Sequence, residues 1–310
     1  MSVDPQIQVI MDKLAELPKV ASLSAPQSRE LALQMVRARA VDPVPVGSVE
    51  ERTIPGPHGE ITVRVYTPED VAAPMPLLVF YHGGGHVFGS PETHDGATRA
   101  LCAGANCKVV SVDYRKAPEH KFPAAVDDSF AALTWCVEHA DELGIDPARV
   151  AVGGDSAGGN LSVVVAMLAR DAGGPALVHQ MLVYPLTDYR CASKSYDAYA
   201  EGYGLLEAET MYWFKNHYLN SDDDALDWRA SPLLADDLSN LPPTFLLTAE
   251  YDVLHDEGEA LADALRAAGN QVDYRDYKGM IHGFFPMGAM VDVSLEAQAD
   301  ACAHLRAAFE

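Results

Sequence analysis

The sequence predicts an α/β architecture in which an eight-stranded, mostly parallel sheet is flanked by helices and covered by a helical cap. Eight segments have the length and composition of strands, and helical stretches alternate with the later ones, as in a doubly wound sheet. Two amphipathic stretches precede the first strand, and about 60 residues separate the strand that ends at Tyr184 from the one that begins at Thr244. We expect these two additions to form the cap.

The chain begins with two stretches of helical spacing. Residues 4 to 17 carry apolar side chains at intervals of three and four, and a second periodic stretch covers about 27 to 40. Because their apolar stripes need a surface to lie on, we expect both helices to pack over the main domain. Val41 to Gly47, with Pro43 and Pro45, is predicted to be an extended linker.

The predicted strands are of two kinds. The first two alternate apolar and polar residues, as half-exposed strands do, whereas later segments such as Leu77–Tyr81 are short apolar runs, typical of parallel strands covered on both faces. The strands are expected at about 48–54, 61–67, 77–81, 108–113, 150–154, 181–184, 244–249 and 272–277. Helices are expected near 94–105, 124–143, 157–171, 256–268 and 293–309.

The domain organisation follows from the length and from the gap in the alternation. A chain of 310 residues fits one α/β domain with additions. We predict that residues 46–185 and 226–310 form the α/β core, and that residues 1–45 and 186–225 form the two parts of the cap. The second part is assigned to the cap because a simple crossover between strands needs far fewer residues.

Composition and charge argue against several classes of protein. The content of 48% hydrophobic and 22% charged residues is that of an ordinary globular protein. There are 45 acidic and 22 basic side chains, and the net charge of −23 repels polyanions, so nucleic acid is not expected as a partner. The N-terminus lacks the charge and apolar run of a signal peptide, and no stretch is long enough to span a bilayer. We therefore predict a cytoplasmic protein without a membrane span.

The sequence does not indicate a metal site. The five cysteines are odd in number and lack C-x-x-C spacing, so they suggest neither a disulfide framework nor a zinc site. We expect most of them to be buried as small apolar groups. Asp222–Asp224 lacks histidine partners, and a solvated loop or a helix start is expected there.

The strongest chemical signal is Gly154-Asp-Ser-Ala-Gly158, a G-x-S-x-G sequence between a predicted strand and a predicted helix. A serine in this context sits on a tight turn that lifts its Oγ above the sheet, at a helix N-terminus that favours developing negative charge. The alternative is a glycine-rich turn in which Ser156 only caps the helix. The strand before and the helix after favour Ser156 as a nucleophile, with Asp155 in a supporting role.

A second signal, His82-Gly-Gly-Gly85, directly follows the third predicted strand. Successive glycines let backbone N–H groups point at one place without obstruction by side chains, as a tetrahedral oxyanion requires. We predict an oxyanion hole made by the N–H groups of Gly83, Gly84 and Ala157, with His82 and Gly85 in support. A phosphate-binding loop is the competing interpretation, but no Gly-Lys-Ser/Thr follows.

A nucleophile needs a base, and the base needs a group that orients it. Asp252 follows a predicted strand at the carboxyl end of the sheet, and His282 follows the last strand. The order Ser, Asp, His matches the hydrolase arrangement, with His282 as general base and Asp252 as its orienting carboxylate. Asp256 is the rival, but it is expected in the first turn of a helix. The remaining histidines considered are expected at surface or turn positions: His94, His120, His139 and His255.

Together these motifs resemble the hormone-sensitive-lipase-like esterases of microbes, in the α/β-hydrolase superfamily. The resemblance rests on His82–Gly85, Tyr114–Ala125, Gly153–Asn160, Asp252–Glu257 and Ile281–Phe284, and it extends over about residues 75 to 285. It implies an α/β-hydrolase fold with a cap, and a serine carboxylesterase that hydrolyses small short- to medium-chain acyl esters without a cofactor. Dimers are common among such proteins, so a homodimer is an expectation by analogy.

The expected substrate pocket and the departures from the family pattern complete the prediction. His86 stands where an aromatic residue is usual, and Val253 stands where proline is usual. Glu250 is either a supporting carboxylate or an ordinary strand-end residue. An amidase or deacetylase with the same triad stays open, and a non-catalytic ligand-binding protein is disfavoured because His282 is present. The acyl and alcohol pockets are expected to draw on Val87, Phe88, Tyr184, Leu205, Leu206, Ile281 and Phe285.

Overall fold

Eight strands form a single sheet in the computed structural model, which describes residues 2–38 and 42–310. The predicted end of the second helix, at residue 40, and the predicted start of the linker, at Val41, lie outside these residues. The strands are β1 (Ser48–Gly56), β2 (Gly59–Thr67), β3 (Met75–Tyr81), β4 (Lys108–Asp113), β5 (Ile145–Asp155), β6 (His179–Val183), β7 (Thr244–Tyr251) and β8 (Val272–Ile281).

The order of strands across the sheet is β1-β2-β4-β3-β5-β6-β7-β8. β2 pairs antiparallel with β1 and β4, and the other neighbouring pairs are parallel. The predicted eight-stranded, mostly parallel sheet is therefore confirmed. The chain order reverses between β3 and β5, and the carboxyl ends of strands at such a point are where open α/β sheets place their sites.

Helices cover both faces of the sheet, so the apolar runs of β3 and β6 are almost wholly buried, as predicted. One face packs against the helices Ala124–Glu138, Ala157–Asp171 and His255–Ala267, and the other against the helices Asp95–Ala105 and Asp292–Phe309. The predicted helix at 124–143 is divided at His139, whose backbone leaves the helical region. The helices are α1 (Pro5–Leu14), α2 (Ala25–Ala38), α3 (Asp95–Ala105), α4 (Ala124–Glu138), α5 (Ala140–Leu143), α6 (Ala157–Asp171), α7 (Ser195–Ala198), α8 (Ala208–Tyr218), α9 (His255–Ala267) and α10 (Asp292–Phe309).

Two glycines let the turn between β5 and α6 lie directly against β3. A Cβ atom on Gly154 would stand 2.3 Å from the carbonyl oxygen of Tyr81, and one on Gly158 would stand 1.8 Å from the same oxygen. No side chain fits at these distances, so both positions require glycine. The close approach brings the residue between them, Ser156, beside the loop that leaves β3.

The N-terminal helices are tied to the main domain by polar contacts as well as by their apolar stripes. At α1, the N–H of Asp4 donates to the carbonyl of Gly279 at 3.1 Å. At α2, Arg29 donates to the carbonyls of Val87 at 2.9 Å and Ala117 at 2.8 Å. Both helices therefore lie on the domain, as expected of amphipathic segments that cannot bury their apolar face alone.

The segment 186–225 contributes α7 and α8, which lie at the carboxyl ends of the strands. The N–H of Phe122 donates to the carbonyl of Tyr218 at 2.9 Å, which fastens the end of α8 to the domain. An ion pair of 2.9 Å between Lys19 and Glu207 joins this segment to the N-terminal one. The assignment of both segments to a cap stays a prediction.

All five cysteines are buried and free, in agreement with the expectation that most are small apolar groups. Asp222–Leu226 forms a 3₁₀ turn whose first residues are capped by Ser221, so the helix start is the correct alternative there. No helix within residues 2–38 and 42–310 is long and apolar enough to cross a membrane.

Candidate active site

Ser156 occupies the sharp turn between β5 and α6. Its backbone has φ 56° and ψ −117°, a conformation that is costly for any residue with a side chain. The turn is held by the hydrogen bond that the N–H of Ser156 donates to the carbonyl of Val183 at 2.8 Å. Strain of this kind is characteristic of a serine whose hydroxyl is held clear of the sheet at a helix N-terminus.

The residues that follow β7 and β8 converge on this hydroxyl. Nε2 of His282 lies 2.9 Å from Oγ of Ser156, and Nδ1 of His282 lies 2.6 Å from Oδ2 of Asp252. The second oxygen of Asp252 accepts from the N–H of Leu254 at 2.9 Å, which fixes the carboxylate. A nucleophile, a base and an orienting carboxylate within hydrogen-bond reach can together remove the hydroxyl proton of the serine.

The rival carboxylate, Asp256, lies elsewhere. It stands in the first turn of α9, as expected, where Oδ2 accepts from the N–H of Ser195 at 3.1 Å and Oδ1 lies 3.1 Å from Nδ1 of His255. The contacts of Asp256 are therefore with α7 and with its own neighbour His255, and Asp252 is the carboxylate that reaches His282.

The glycine loop after β3 requires one correction to the predicted oxyanion hole. The N–H of Gly83 donates to Oδ1 of Asp155 at 3.0 Å, so this donor is already used and the assignment of Gly83 is wrong. Gly84 and Gly85, at φ 115° and 60°, face the cavity beside Ser156. Within residues 2–38 and 42–310, their N–H groups have no hydrogen-bond partner. Gly85, predicted only as a supporting residue, therefore offers a free donor, as does Ala157 at the first position of α6.

The space in front of Ser156 is a mainly apolar cavity of about 170 Å³. Of the predicted pocket residues, Phe88, Leu205 and Leu206 line it. The other four, Val87, Tyr184, Ile281 and Phe285, do not, because their side chains are fully buried in the two core clusters. Tyr184 has an indirect role, since its ring packs against the ring of His282 with centroids 4.6 Å apart.

Sequence reasoning missed more than half of the cavity wall. Most of the missing residues come from the turn before α2 and from α2 itself, from the loop between the glycine motif and α3, and from the segment after His282, and one comes from α8. The apolar stripe of α2 was a usable signal, since it predicted that the helix covers the domain, although it could not show which residues face Ser156. The residues missed are Val20, Ser28, Leu31, Ala32, Met35, Val36, Gly89, Thr93, His94, Phe214, Gly283, Pro286 and Met287.

His94 was expected at a surface or turn position, and it is a turn residue that faces the site. It immediately precedes α3, and its Nε2 lies 3.3 Å from Oδ1 of Asp155. The same carboxylate oxygen accepts from Gly83, so Asp155 connects His94 to the glycine loop. The supporting position predicted for Asp155 thus has a structural basis.

The predicted supporting residues His82 and Glu250 each hold one loop of the site. His82 is buried and stacks on Tyr114 with ring centroids 4.3 Å apart, and its burial lowers its pKa well below the usual range. Glu250 accepts a hydrogen bond of 2.8 Å from the N–H of Gly279, three residues before His282. This hydrogen bond favours the interpretation of Glu250 as a supporting carboxylate.

The two departures from the family pattern leave the catalytic atoms undisturbed. His86 is fully buried, stacks on Tyr218 with centroids 4.0 Å apart, and lies 2.7 Å from the hydroxyl of Tyr189; burial lowers its pKa to about 3. It is thus neutral and does not line the cavity. The carbonyl of Val253 accepts from the hydroxyl of Ser195 at 2.6 Å, a backbone contact that secures the loop of Asp252.

Across the described part of the chain, no group of three or more histidine, cysteine, aspartate or glutamate residues could hold a metal ion. The groups beside Ser156 that can take part in chemistry are side chains and backbone donors. These are a hydroxyl with an adjacent base, an ionisable carboxylate behind the base, and free N–H groups across the cavity. This set can attack and stabilise a planar acyl carbon.

Comparison with known proteins places the chain among ester hydrolases. A family model for the alpha/beta hydrolase fold matches residues 78–286. Carboxylesterase NlhH of Mycobacterium tuberculosis is 41% identical over 314 residues, which cover 99% of this chain and 96% of the relative. Carboxylic ester hydrolase LipN of the same organism is 52% identical over 242 residues, covering 76% of this chain but only 64% of the length of LipN. A solved ester hydrolase from the metagenome of Lake Arreo, complexed with a derivative of bipyridine phosphonate, matches with a TM-score of 0.95 and 42% identity over 99% of both chains.

Proposed function

The chain belongs to the α/β-hydrolase family and is a carboxylic-ester hydrolase of the hormone-sensitive-lipase-like kind, and from this premise we propose that it cleaves esters of short to medium acyl chain through an acyl-enzyme on Ser156. The observation that carries the proposal is the continuous contact from Asp252 through His282 to Ser156, with bond distances of 2.6 and 2.9 Å. The preference for modest chain length is supported by the small cavity in front of Ser156, about 170 Å³.

In the first half of the reaction, Oγ of Ser156 attacks the ester carbonyl carbon while Nε2 of His282 accepts the hydroxyl proton. The tetrahedral intermediate collapses when the bond to the alcohol oxygen breaks, and His282 gives its proton to that oxygen. The alcohol leaves and the acyl group remains on Ser156. Throughout the reaction, Asp252 holds the imidazole in the required tautomer and stabilises its protonated form.

In the second half, a water molecule takes the place of the alcohol. His282 accepts a proton from the water as its oxygen attacks the acyl carbon, and the proton returns to Oγ of Ser156 when the carboxylic acid leaves. Protonated His282 cannot accept a proton in either half, so activity falls at acid pH.

We assign the oxyanion hole to the N–H groups of Gly84, Gly85 and Ala157. All three face the cavity or begin α6 beside it, and removal of one such donor typically costs about 10²–10³ in rate. Gly85 also cannot carry a side chain, because a Cβ atom there would stand 2.2 Å from the ring of Phe214. The conformation of the loop and its contact with α8 thus both depend on glycine.

The segments 1–45 and 186–225 act as a cap over this site. Support comes from the cavity wall, to which α2 contributes Leu31 and Met35 and the second segment contributes Leu206 and Phe214. A cover of apolar side chains excludes water around the developing charge and strengthens the interaction with the oxyanion donors.

The test is hydrolysis of a p-nitrophenyl ester series from acetate to palmitate by the wild type, by Ser156→Ala and by Ser162→Ala. Ser162 serves as a matched control. It lies on α6, the helix that Ser156 precedes, and its hydroxyl donates to the carbonyl of Gly158 at 2.7 Å. We expect turnover to peak at short chains, to fall by a factor on the order of 10³ or more in Ser156→Ala, and to persist in Ser162→Ala. Ser156→Ala with the turnover of the wild type, or a maximum at palmitate, would refute the proposal.

A further inference from the structure

A second cavity lies between the two cap segments, next to the one in front of Ser156. Its volume is about 370 Å³, roughly twice that of the first. It is enclosed by α1, by the turn that follows it, by α2 and by the segment from Gly202 to Thr210. None of the residues assigned to catalysis lines it.

Four side chains line both cavities and form the wall between them: Val20, Leu31, Met35 and Leu205. All four are apolar and only partly buried, so each has free space on both sides. Leu206, the neighbour of Leu205, lines the first cavity alone.

The segment that carries Leu205 is held by defined contacts. Oε1 of Glu207 accepts from the N–H of Gly202 at 3.0 Å, and Oε2 of Glu207 pairs with Lys19 at 2.9 Å. Gly204, at φ 95°, brings the backbone so close to β8 that a Cβ atom would stand 2.6 Å from Cδ1 of Ile281. The backbone at Leu205 is therefore fixed, and the size of the Leu205 side chain determines how completely the two cavities are separated.

The second cavity has both apolar and charged lining. Met11 and Leu14 contribute apolar surface, and Lys19 and Glu207 contribute an ion pair. An apolar site of about 150 Å³ holds a group the size of benzene, so the first cavity alone accommodates only a small substituent. The two cavities joined would be in the range of 300–1,000 Å³ that is common for ligand sites.

We propose that the second cavity is a distal subsite for an unbranched aliphatic arm of the ester, and that Leu205 determines how long an arm the enzyme accepts. The arm enters past Leu205 and lies on the apolar surface that Met11 and Leu14 contribute to the second cavity. This inference rests on the proposed ester hydrolysis at Ser156. It assigns to Leu205 a specificity role that the neighbouring Leu206 does not share.

The test compares kcat/KM for octanoate and butyrate esters of p-nitrophenol, and for octyl and butyl acetate, so that the acyl and alcohol arms are examined separately. In Leu205→Ala we expect the ratio of long to short substrate to rise about tenfold or more in one of the two series, since one methylene in an apolar pocket is worth about 10-fold or more. Leu226→Ala, the control, should change that ratio by less than about threefold, because Leu226 is exposed and lines neither cavity. Met35→Ala, which opens the same wall from α2, should act in the direction of Leu205→Ala.

A second substitution distinguishes the cavity from a general loosening of the cap. Ala15 lines only the second cavity and is exposed, so Ala15→Trp fills that space with little risk to folding. In the Leu205→Ala background it should return the ratio toward the wild-type value. An unchanged ratio in both Leu205→Ala and Met35→Ala, or a raised ratio that Ala15→Trp does not reverse, would overturn the subsite while leaving ester hydrolysis intact. Loss of the proposed function would differ, because the wild type would then hydrolyse none of the four esters.

Discussion

Oδ1 of Asp155 accepts a hydrogen bond of 3.0 Å from the N–H of Gly83. The residue that precedes the nucleophile thus holds the start of the glycine loop, while the loop's next two N–H groups stay free to face the cavity. A Cβ atom on Gly83 would stand 2.5 Å from the same carboxylate, so the contact has room only for glycine. The serine turn and the oxyanion loop are therefore positioned together rather than separately.

Asp155→Ala should lower kcat for p-nitrophenyl butyrate by about 10–100-fold, less than the loss of an oxyanion donor itself, because the loop loses its anchor but keeps its donors. Asp155→Asn retains an oxygen that can accept from Gly83 and should recover most of the activity. Steady-state kinetics of the two variants, with circular dichroism to confirm folding, tests this. Equal kcat in Asp155→Ala and the wild type would show that the contact does not position the loop.

Asp252→Asn should reduce kcat by a factor on the order of 10⁴, since the amide cannot hold His282 in the required tautomer. Asp256→Asn is the matched control, because Asp256 contacts Ser195 and His255 instead of His282. Its kcat should stay close to that of the wild type. If Asp256→Asn proved as damaging as Asp252→Asn, the assignment of the orienting carboxylate would have to be abandoned.

The sequence allowed the sheet and the convergence of Ser156, Asp252 and His282 to be predicted, because each of these residues comes after a predicted strand and the sites of open α/β sheets lie at the carboxyl ends of the strands. The cavity wall was predicted poorly for a physical reason. Consecutive side chains point in different directions, so Phe88 faces the cavity while Val87 is in the core, and Ile281 is buried beside His282. The use of the Gly83 donor by Asp155 depends on a side-chain contact that no spacing in the sequence reveals.

His86→Phe should leave the acid limb of the pH–rate profile unchanged. Burial lowers the pKa of His86 to about 3, so this imidazole is already neutral throughout the measured range of pH 5 to 9. The substitution removes the contact with the hydroxyl of Tyr189, and we expect it to cost about 1–3 kcal/mol of stability. Measurement of kcat/KM from pH 5 to 9 tests the first part and thermal denaturation the second. A displaced acid limb would mean that His86 titrates with the site.

Glu257→Gln should fold as well as the wild type, whereas Glu257→Ala should lose about 2–5 kcal/mol. Burial raises the pKa of Glu257 well above its usual range, so the side chain is favoured in its neutral form, which an amide imitates. Its Oε1 accepts from the N–H groups of Thr187 at 2.7 Å and Asp188 at 3.2 Å, and alanine leaves both donors unpaired. Urea denaturation at pH 7 measures the difference. Marked destabilisation by Gln would indicate that the buried group is a carboxylate.

His255 connects the loop of Asp252 to β8, because its two ring nitrogens lie 3.1 Å from Asp256 and 3.3 Å from Asp276, a carboxylate that also pairs with Lys278. The hydrogen bond to Asp276, more than the one to Asp256, raises the pKa of His255 to about 9 despite the opposing effect of burial. The protonated ring therefore stabilises the fold fully below about pH 6.5, the ordinary value for histidine, and this stabilisation is lost as the pH rises through about 9.

His255→Gln should accordingly be less stable than the wild type near pH 6.5, by about 1–2 kcal/mol after allowance for solvent screening, and the difference should shrink by pH 10. Val9→Gln is the control, because it exchanges an exposed side chain without a titratable group, so its difference from the wild type should not depend on pH. Thermal denaturation of the three proteins at pH 6, 8 and 10 measures this. If the difference in stability between His255→Gln and the wild type stayed constant from pH 6 to 10, the imidazolium would contribute no stability. Only a group that loses its proton within that range can make this difference shrink.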